Sequence, residues 1–86
     1  MSYRILFTRA AERAFERIAS ADQPRIAKKI DALASDPRPR GALRLAGEPE
    51  ELYRIRVGDY RVIYGIEDEV LTVLIVRVAH RRDVYR

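Results

Sequence analysis

The sequence contains no cysteine, no tryptophan and only one histidine among 86 residues. Without cysteine, neither disulfide bonds nor thiolate metal sites can stabilise the fold, so we expect a protein of the reducing cytoplasm. We expect no cofactor. No apolar run is long enough to cross a bilayer, and none resembles a signal peptide. A chain of this length has room for one hydrophobic core, so we expect a single domain over residues 1–86.

Lysine is also scarce: Lys28 and Lys29 stand against 15 arginines, and the net charge is +4. The guanidinium group of arginine is a planar fork that meets phosphate or carboxylate with two hydrogen bonds and keeps its charge. A GC-rich genome would also enrich arginine, so composition alone does not distinguish an anionic partner from codon bias. The positions of the arginines are therefore more informative than their number.

Two amphipathic helices are predicted in the N-terminal half. Thr8 is a candidate N-cap for a helix over residues 9–19, because apolar residues recur there at helical spacing. Asp22 is a candidate N-cap for a second helix, which should end before residues 36–39 because their two prolines cannot continue it. The predicted apolar stripes, which should form one seam, are Phe15, Ile18, Ile26, Ile30 and Leu33.

Alternating or apolar segments predict the strands. The first lies over residues 3–7 and the second over residues 42–45. Two more flank the Gly-Asp pair at residues 58–59, and the last lies over residues 70–78, after the acidic turn 67–69. The order β-α-α-β-β-β, with or without one further strand, is typical of an α+β fold. We expect an antiparallel sheet of about four strands with both helices packed on one face.

The most informative segment is residues 53–64, which predicts a hairpin with Gly58 and Asp59 as a two-residue turn. This register places Arg56 opposite Arg61. Period-2 alternation sorts the remaining side chains. The face towards the helices should carry Ile55, Val57, Tyr60, Val62 and Tyr64, and the face open to solvent should carry Arg54, Arg56 and Arg61.

Directly opposed like charges on a sheet destabilise it unless something anionic lies between them. A phosphate chain is the obvious candidate for such an anion, so the arginines of the hairpin predict a nucleic-acid contact. The alternative is an ordinary solvated face that is balanced by nearby acids.

Two motifs resemble the RelE branch of the RelE/ParE toxin superfamily. Residues 52–64, Leu-Tyr-Arg-Ile-Arg-Val-Gly-Asp-Tyr-Arg-Val-Ile-Tyr, resemble a hairpin shared across the superfamily, and the ending His-Arg-Arg-Asp-Val-Tyr at residues 80–85 favours RelE. The likeness extends over essentially the whole chain. It implies the RelE-like fold and ribosome-dependent cleavage of mRNA in the A site, by attack of the ribose 2′-OH on the adjacent phosphate and without a metal.

The resemblance also implies roles for single residues. Arg61 matches the arginine that stabilises the phosphorane, and Arg81 matches the arginine near the leaving 5′-oxygen. Tyr85 matches a tyrosine that stacks on a base. Arg54 and Arg56 match basic RNA-binding positions at which RelE itself has lysines. Because arginine keeps its charge, these two residues are expected to hold phosphate rather than to act as a base.

The sequence and its resemblance to the family leave two candidates for the group that transfers protons. His80 is the one side chain whose unperturbed pKa suits proton transfer near neutral pH, although it could equally be a bystander. Certain relatives use a glutamate from the region that here holds Glu48, Glu50 and Glu51. In the tail, Arg81 and Arg82 would point to opposite sides of an extended chain, so only one of them could join Arg61.

A partner is implied as well. RelE-like toxins are neutralised by an antitoxin, and the basic surface favours an acidic, RelB-like antitoxin that binds as an amphipathic helix or extended peptide. The ribosome and mRNA are the expected targets, and operator DNA would be contacted only through the antitoxin complex. Two alternatives are a ParE-like inhibitor of DNA gyrase without cleavage activity, and a degenerate toxin that retains only antitoxin binding.

Overall fold

The computed structural model describes residues 2–47 and 51–84, which form an α+β fold. Within these residues a five-stranded sheet has the order β1-β5-β4-β3-β2, and both long helices contribute to one core with it. None of the helices in these ranges has the length and apolarity to cross a membrane. The elements are β1 (Arg4–Phe7), α1 (Arg9–Glu16), α2 (Gln23–Ala32), β2 (Leu43–Leu45), β3 (Leu52–Val57), β4 (Tyr60–Glu67), β5 (Thr72–His80) and α3 (Arg81–Val84).

The predicted α+β class is confirmed. The described sheet has five strands, which is the predicted order with one further strand, because the short β2 pairs with β3. The sheet departs from the expected antiparallel arrangement at one pair: β1 runs parallel to β5, with Arg4 beside Thr72 and Phe7 beside Ile75, whereas the other neighbours are antiparallel. Alternation in the sequence indicates that a segment is extended, but not which strand it will pair with.

The helices begin near the predicted residues, and one of the two predicted N-caps is confirmed. The Thr8 side chain accepts a hydrogen bond from the Ala11 amide at 3.1 Å, so this N-cap is confirmed. Asp22 is wrong as a side-chain cap, because its backbone is already helical and its carboxylate makes no cap hydrogen bond. That carboxylate instead accepts from Arg25 at 2.9 Å and from the Tyr60 hydroxyl at 3.4 Å.

The core lies between the helices and one face of the sheet. The hairpin residues Ile55, Val57, Val62 and Tyr64 are buried, as the alternation predicts. They form one cluster with the helix residues Ile18, Ile26, Ile30 and Leu33, against which Phe15 packs partly buried. Burial of each large apolar side chain contributes roughly 1.5–3 kcal/mol, so this cluster holds the helices to the sheet.

A β-bulge interrupts the pairing of β4 with β5. Ile63 lies opposite Arg77, but its neighbour Tyr64 lies opposite Ile75, so Val76 is an extra residue on β5. An extra residue reverses the alternation of the strand that contains it. Ile75 and Val78 are both buried as a result, and Arg77 is exposed on the face away from the helices.

Four side chains connect the start of β1, the loop after α2 and the turn before β5. We call this cluster the Asp68 clasp, and it consists of Tyr3, Arg38, Tyr53 and Asp68. The Arg38 guanidinium donates to both Asp68 oxygens at 2.9 and 3.3 Å, and Tyr3 donates to Oδ1 at 2.7 Å. Arg38 also donates to the Tyr53 hydroxyl at 3.3 Å. The hydrogen bonds from Arg38 and then Tyr3 lower the pKa of Asp68, and the same carboxylate raises the pKa of Tyr3.

Candidate functional site

The hairpin of β3 and β4 has the predicted register. Val57 lies opposite Tyr60, and Arg56 lies opposite Arg61. Gly58 has a φ of +59°, whereas Asp59 has no positive φ. Gly at the first central position with a positive φ is the pattern of a type II′ turn, whose twist matches that of the flanking strands. The glycine therefore fixes which residues of the two strands share a face.

Four arginines occupy the face of the sheet that points away from the helices, and we call this surface the arginine face: Arg54, Arg56, Arg61 and Arg77. The register arranges them in two rows across β3, β4 and β5. One row is Arg54, Ile63 and Arg77, and the next is Arg56, Arg61 and Ala79. Directly opposite side chains have Cβ atoms about 4.5–5.5 Å apart, so these cations concentrate positive charge on a small area.

The sequence analysis expects Arg61 to be open to solvent, and in the structure it is not. It is 7% exposed, and its Nε and Nη1 atoms are shielded from water, whereas Arg56 is exposed. The physical reason is position, because β4 is the middle strand and Arg61 has neighbours on both sides, Arg56 and Ala79. A charge held in a low-dielectric site interacts more strongly with an arriving anion than one in water does. Arg61 is thus the best placed residue to stabilise concentrated negative charge.

Arg77 is a member of the arginine face that the sequence analysis missed. It interrupts the apolar run of β5, and strict alternation along that strand would place it with Ile75, in the core. The bulge at Val76 places it on the opposite side instead. The available signal was the arginine itself, since a charged residue in an interior strand indicates either a bulge or a partner.

His80 does not join the arginine face. It lies opposite Tyr60, on the side of the sheet that the helices cover, and the two rings are in edge-to-face contact with centroids 5.4 Å apart. Its Nδ1 accepts a hydrogen bond from the Arg82 amide at 3.3 Å. It also lines a cavity of about 300 Å³ together with Arg17 and Ile18. The predicted role of His80 in proton transfer beside Arg61 is therefore not supported by its position.

Residues 81–84, at the start of the predicted polar tail, form a helical turn directly after β5. Arg81 and Arg82 both belong to α3, so they are not on opposite sides of an extended chain. The Arg81 amide donates to the Asp59 carbonyl at 2.7 Å, and its Nε lies 3.9 Å from the Asp59 carboxylate. These contacts hold Arg81 at the turn of the hairpin, near the row that contains Arg61, with its side chain exposed.

Other candidates are placed as follows. Tyr85, Glu48 and Glu50 lie outside the described residues. Glu51 is exposed and forms an ion pair with Arg44 at 2.9 Å. Within residues 2–47 and 51–84, no three or more His, Cys, Asp or Glu side chains are grouped so that they could hold a metal ion.

Comparisons with known proteins agree with this architecture. A model of the ParE toxin of the type II toxin–antitoxin system parDE matches residues 5–85. Toxin RelG of Mycobacterium tuberculosis is 38% identical over 91 residues, which cover 100% of this chain and 99% of the relative. The chain belongs to the RelE/ParE toxin superfamily. The residues of this RelE/ParE toxin that the family model matches include the whole β3–β4 hairpin and the segment that carries Arg81.

Solved structures of RelE/ParE toxins have the same fold. An archaeal RelE–RelB complex from Pyrococcus horikoshii superposes with a TM-score of 0.82 and 30% identity, over 98% of this chain and 100% of that one. The RelBE2 toxin–antitoxin complex of Mycobacterium tuberculosis gives a TM-score of 0.83 and 30% identity, over 94% of this chain and 100% of that one. The sheet and helices described above are therefore the RelE/ParE fold.

Proposed function

We propose that this RelE/ParE toxin is a ribosome-dependent endoribonuclease that cleaves mRNA in the ribosomal A site. The observation that carries the proposal is the arginine face, on which a buried Arg61 is flanked by the exposed Arg56. Cleavage by an internal nucleophile requires correct positioning and stabilisation of charge more than covalent help from the protein. The arginine face supplies both.

In the proposed reaction, the ribose 2′-oxygen attacks the adjacent phosphorus, and the bond from phosphorus to the 5′-oxygen breaks. The products are a 2′,3′-cyclic phosphate and a 5′-hydroxyl, so the proton lost by the 2′-hydroxyl is balanced by one gained at the leaving oxygen. Arg61 donates hydrogen bonds to the non-bridging oxygens, on which negative charge accumulates. Arg81, held at the hairpin turn, acts near the leaving 5′-oxygen.

Binding of the RNA chain is assigned to the remaining cations. Arg54 and Arg56 hold phosphates of the RNA chain beside Arg61, because a guanidinium binds phosphate bidentately and does not titrate. Tyr85 stacks on a base of the bound nucleotide. His80 has no role in this scheme, because the sheet separates it from Arg61.

The partner that neutralises the toxin is proposed to be an acidic, RelB-like antitoxin. Two supports are the basic arginine face and the similar structures themselves, which are RelE–RelB and RelBE2 toxin–antitoxin complexes. Operator DNA would be contacted only through the complex with that antitoxin. An affinity for the antitoxin that falls as salt concentration rises would support charge pairing at this surface.

Primer extension on translated mRNA after induced expression tests the proposal. Cuts within codons that appear only on translated messages are the expected result. Intact mRNA together with arrested replication would overturn the proposal in favour of gyrase inhibition. Intact mRNA with unimpaired growth would also overturn it and would indicate a protein that retains only antitoxin binding.

A further inference from the structure

A second cluster of cations surrounds a cavity of about 240 Å³ at the side of the sheet. The cavity lies between the C-terminal half of α2, the loop at residues 39–41 and β3. Lys29, Arg40 and Arg56 line it together with an apolar floor that includes Leu33 and Ile55. The three cations come from three different elements, so their convergence is a product of the tertiary fold.

Local backbone geometry keeps this cavity open. β2 begins only at Leu43, which pairs with Arg54, so in the described part of the sheet no strand covers the outer edge of β3 at Arg56. The preceding loop turns sharply, because the Ala42 amide donates to the Pro39 carbonyl at 3.0 Å and Gly41 has a φ of +94°. A type II turn requires a positive φ at its third residue. The turn places Arg40 at its corner, beside the cavity.

Within the part of the chain that the structure describes, no ion pair neutralises the cations at this cavity. In the described residues no carboxylate forms an ion pair with Lys29, Arg40 or Arg56, whereas Arg25, Arg38, Arg44 and Arg81 each have one. A lysine in the last turn of a helix interacts favourably with the helix dipole, and this explains the position of Lys29 alone. The dipole of α2 does not account for a guanidinium from the loop and another from β3.

We propose that Lys29, Arg40 and Arg56 form a second phosphate-binding site, which holds a phosphodiester of the RNA chain away from the scissile bond. This inference rests on the proposed function and extends its RNA path around the edge of the sheet. Arg56 connects the two regions, because it lies opposite Arg61 on the arginine face and also lines the cavity. A tetrahedral phosphate offers acceptor oxygens in several directions, which suits donors that arrive from three elements.

One groove on the helical side of the molecule has the opposite charge. The groove between α1 and α2 is lined by Phe7 and Phe15 and also by Glu12, Glu16 and Asp31, which would repel a phosphate. An RNA chain that leaves the arginine face is therefore directed towards Lys29 and Arg40 rather than over this groove.

The test compares Lys29→Gln with Lys28→Gln, a matched change of the adjacent exposed lysine that does not line the cavity. Amide NMR spectra of each protein are recorded during titration with inorganic phosphate and then with a single-stranded RNA oligonucleotide. We expect the Gly41 and Ala32 amides of the wild type and of Lys28→Gln to shift with both ligands. In Lys29→Gln these shifts should weaken, and the slope of log K against log salt for RNA should fall by about 0.7.

Cleavage on programmed ribosomes separates this inference from the proposed function. In single-turnover experiments, Lys29→Gln and Arg40→Gln should raise the half-saturating toxin concentration and leave the maximal rate unchanged. If phosphate and RNA shift other amides but not those of Gly41 and Ala32, the phosphate site is overturned. Cleavage by the wild type would still support the proposed function in that case. A polyglutamate peptide that shifts these amides where RNA does not would also overturn it. Binding of RNA at the cavity by a wild type that fails to cleave would instead reject the proposed function.

Discussion

Arg56 and Arg61 lie directly opposite each other on β3 and β4, yet Arg61 is 7% exposed and Arg56 faces solvent. The two like charges therefore occupy different dielectric environments across one hairpin. The buried guanidinium is shielded from water and suits a charge that develops at one point. The exposed guanidinium can adjust its rotamer and suits a flexible phosphate backbone.

The first prediction concerns Arg61. Replacing it with Ala or Met removes the preorganised charge, and we expect single-turnover cleavage on ribosomes to fall by about 10²–10³. Arg61→Lys should recover only part of the rate, because an ammonium cannot reproduce two directed hydrogen bonds. Thermal unfolding is the control: Arg61→Met keeps most of the stem volume and should remain folded. A wild-type rate in this variant would reject the assignment.

The second prediction concerns Arg77, which the bulge at Val76 brings onto the arginine face. Arg77→Gln should weaken binding of single-stranded RNA and lower the salt dependence of log K by about 0.7, the value for one phosphate contact on a single strand. Arg44→Gln is the matched control, since Arg44 lies on β2 and pairs with Glu51. Equal effects of the two changes would mean that Arg77 acts only through net charge.

The third prediction concerns His80. A general acid or base typically contributes about 10²–10⁴ to the rate. His80 lies on the helical side of the sheet, so we expect His80→Gln to reduce the cleavage rate by less than about tenfold. That loss is smaller than the loss of a general acid or base would cause. The pH–rate profile should also stay unchanged. A loss of the acidic limb of that profile would restore His80 as the proton-transfer group.

The fourth prediction concerns pH and the Asp68 clasp. The hydrogen bond from Arg38 lowers the pKa of Asp68 in the folded state. Its contribution to stability is therefore complete above the unfolded-state pKa of about 3.9 and is lost as pH falls through the lower folded-state value. Unfolding midpoints measured from neutral to strongly acidic pH should fall less steeply for Asp68→Asn. Asp31→Asn, which changes an exposed carboxylate outside the clasp, should follow the wild type.

The fifth prediction concerns the hairpin turn. Gly58 has a φ of +59°, and an added Cβ would lie 3.3 Å from Arg25 Nη2. Gly58→Ala should therefore destabilise the fold by about 1–2 kcal/mol, the usual cost of a left-handed conformation. Gly65 has no positive φ, and its added Cβ would meet Leu52 Cδ2 at an ordinary 3.6 Å. Gly65→Ala should be neutral or stabilising in urea unfolding, and a comparable loss at both glycines would contradict this explanation.

The sequence alone determined the hairpin and its two faces. A two-residue turn at Gly58 and strict alternation on both sides leave one register that buries Ile55 and Val62 together. Helical spacing likewise determined which residues of α1 and α2 enter the core. Both patterns are local, because they depend only on the period of the backbone and the polarity of neighbouring residues.

Only the tertiary structure decided the surroundings of the site residues. The burial of Arg61 depends on strands at both sides of β4, and the side on which Arg77 lies depends on an extra residue at Val76. The same pairing places His80 opposite Tyr60, away from the arginines. Pairing partners, bulges and solvent exposure are set by the packing of distant segments, so no local periodicity in the chain encodes them.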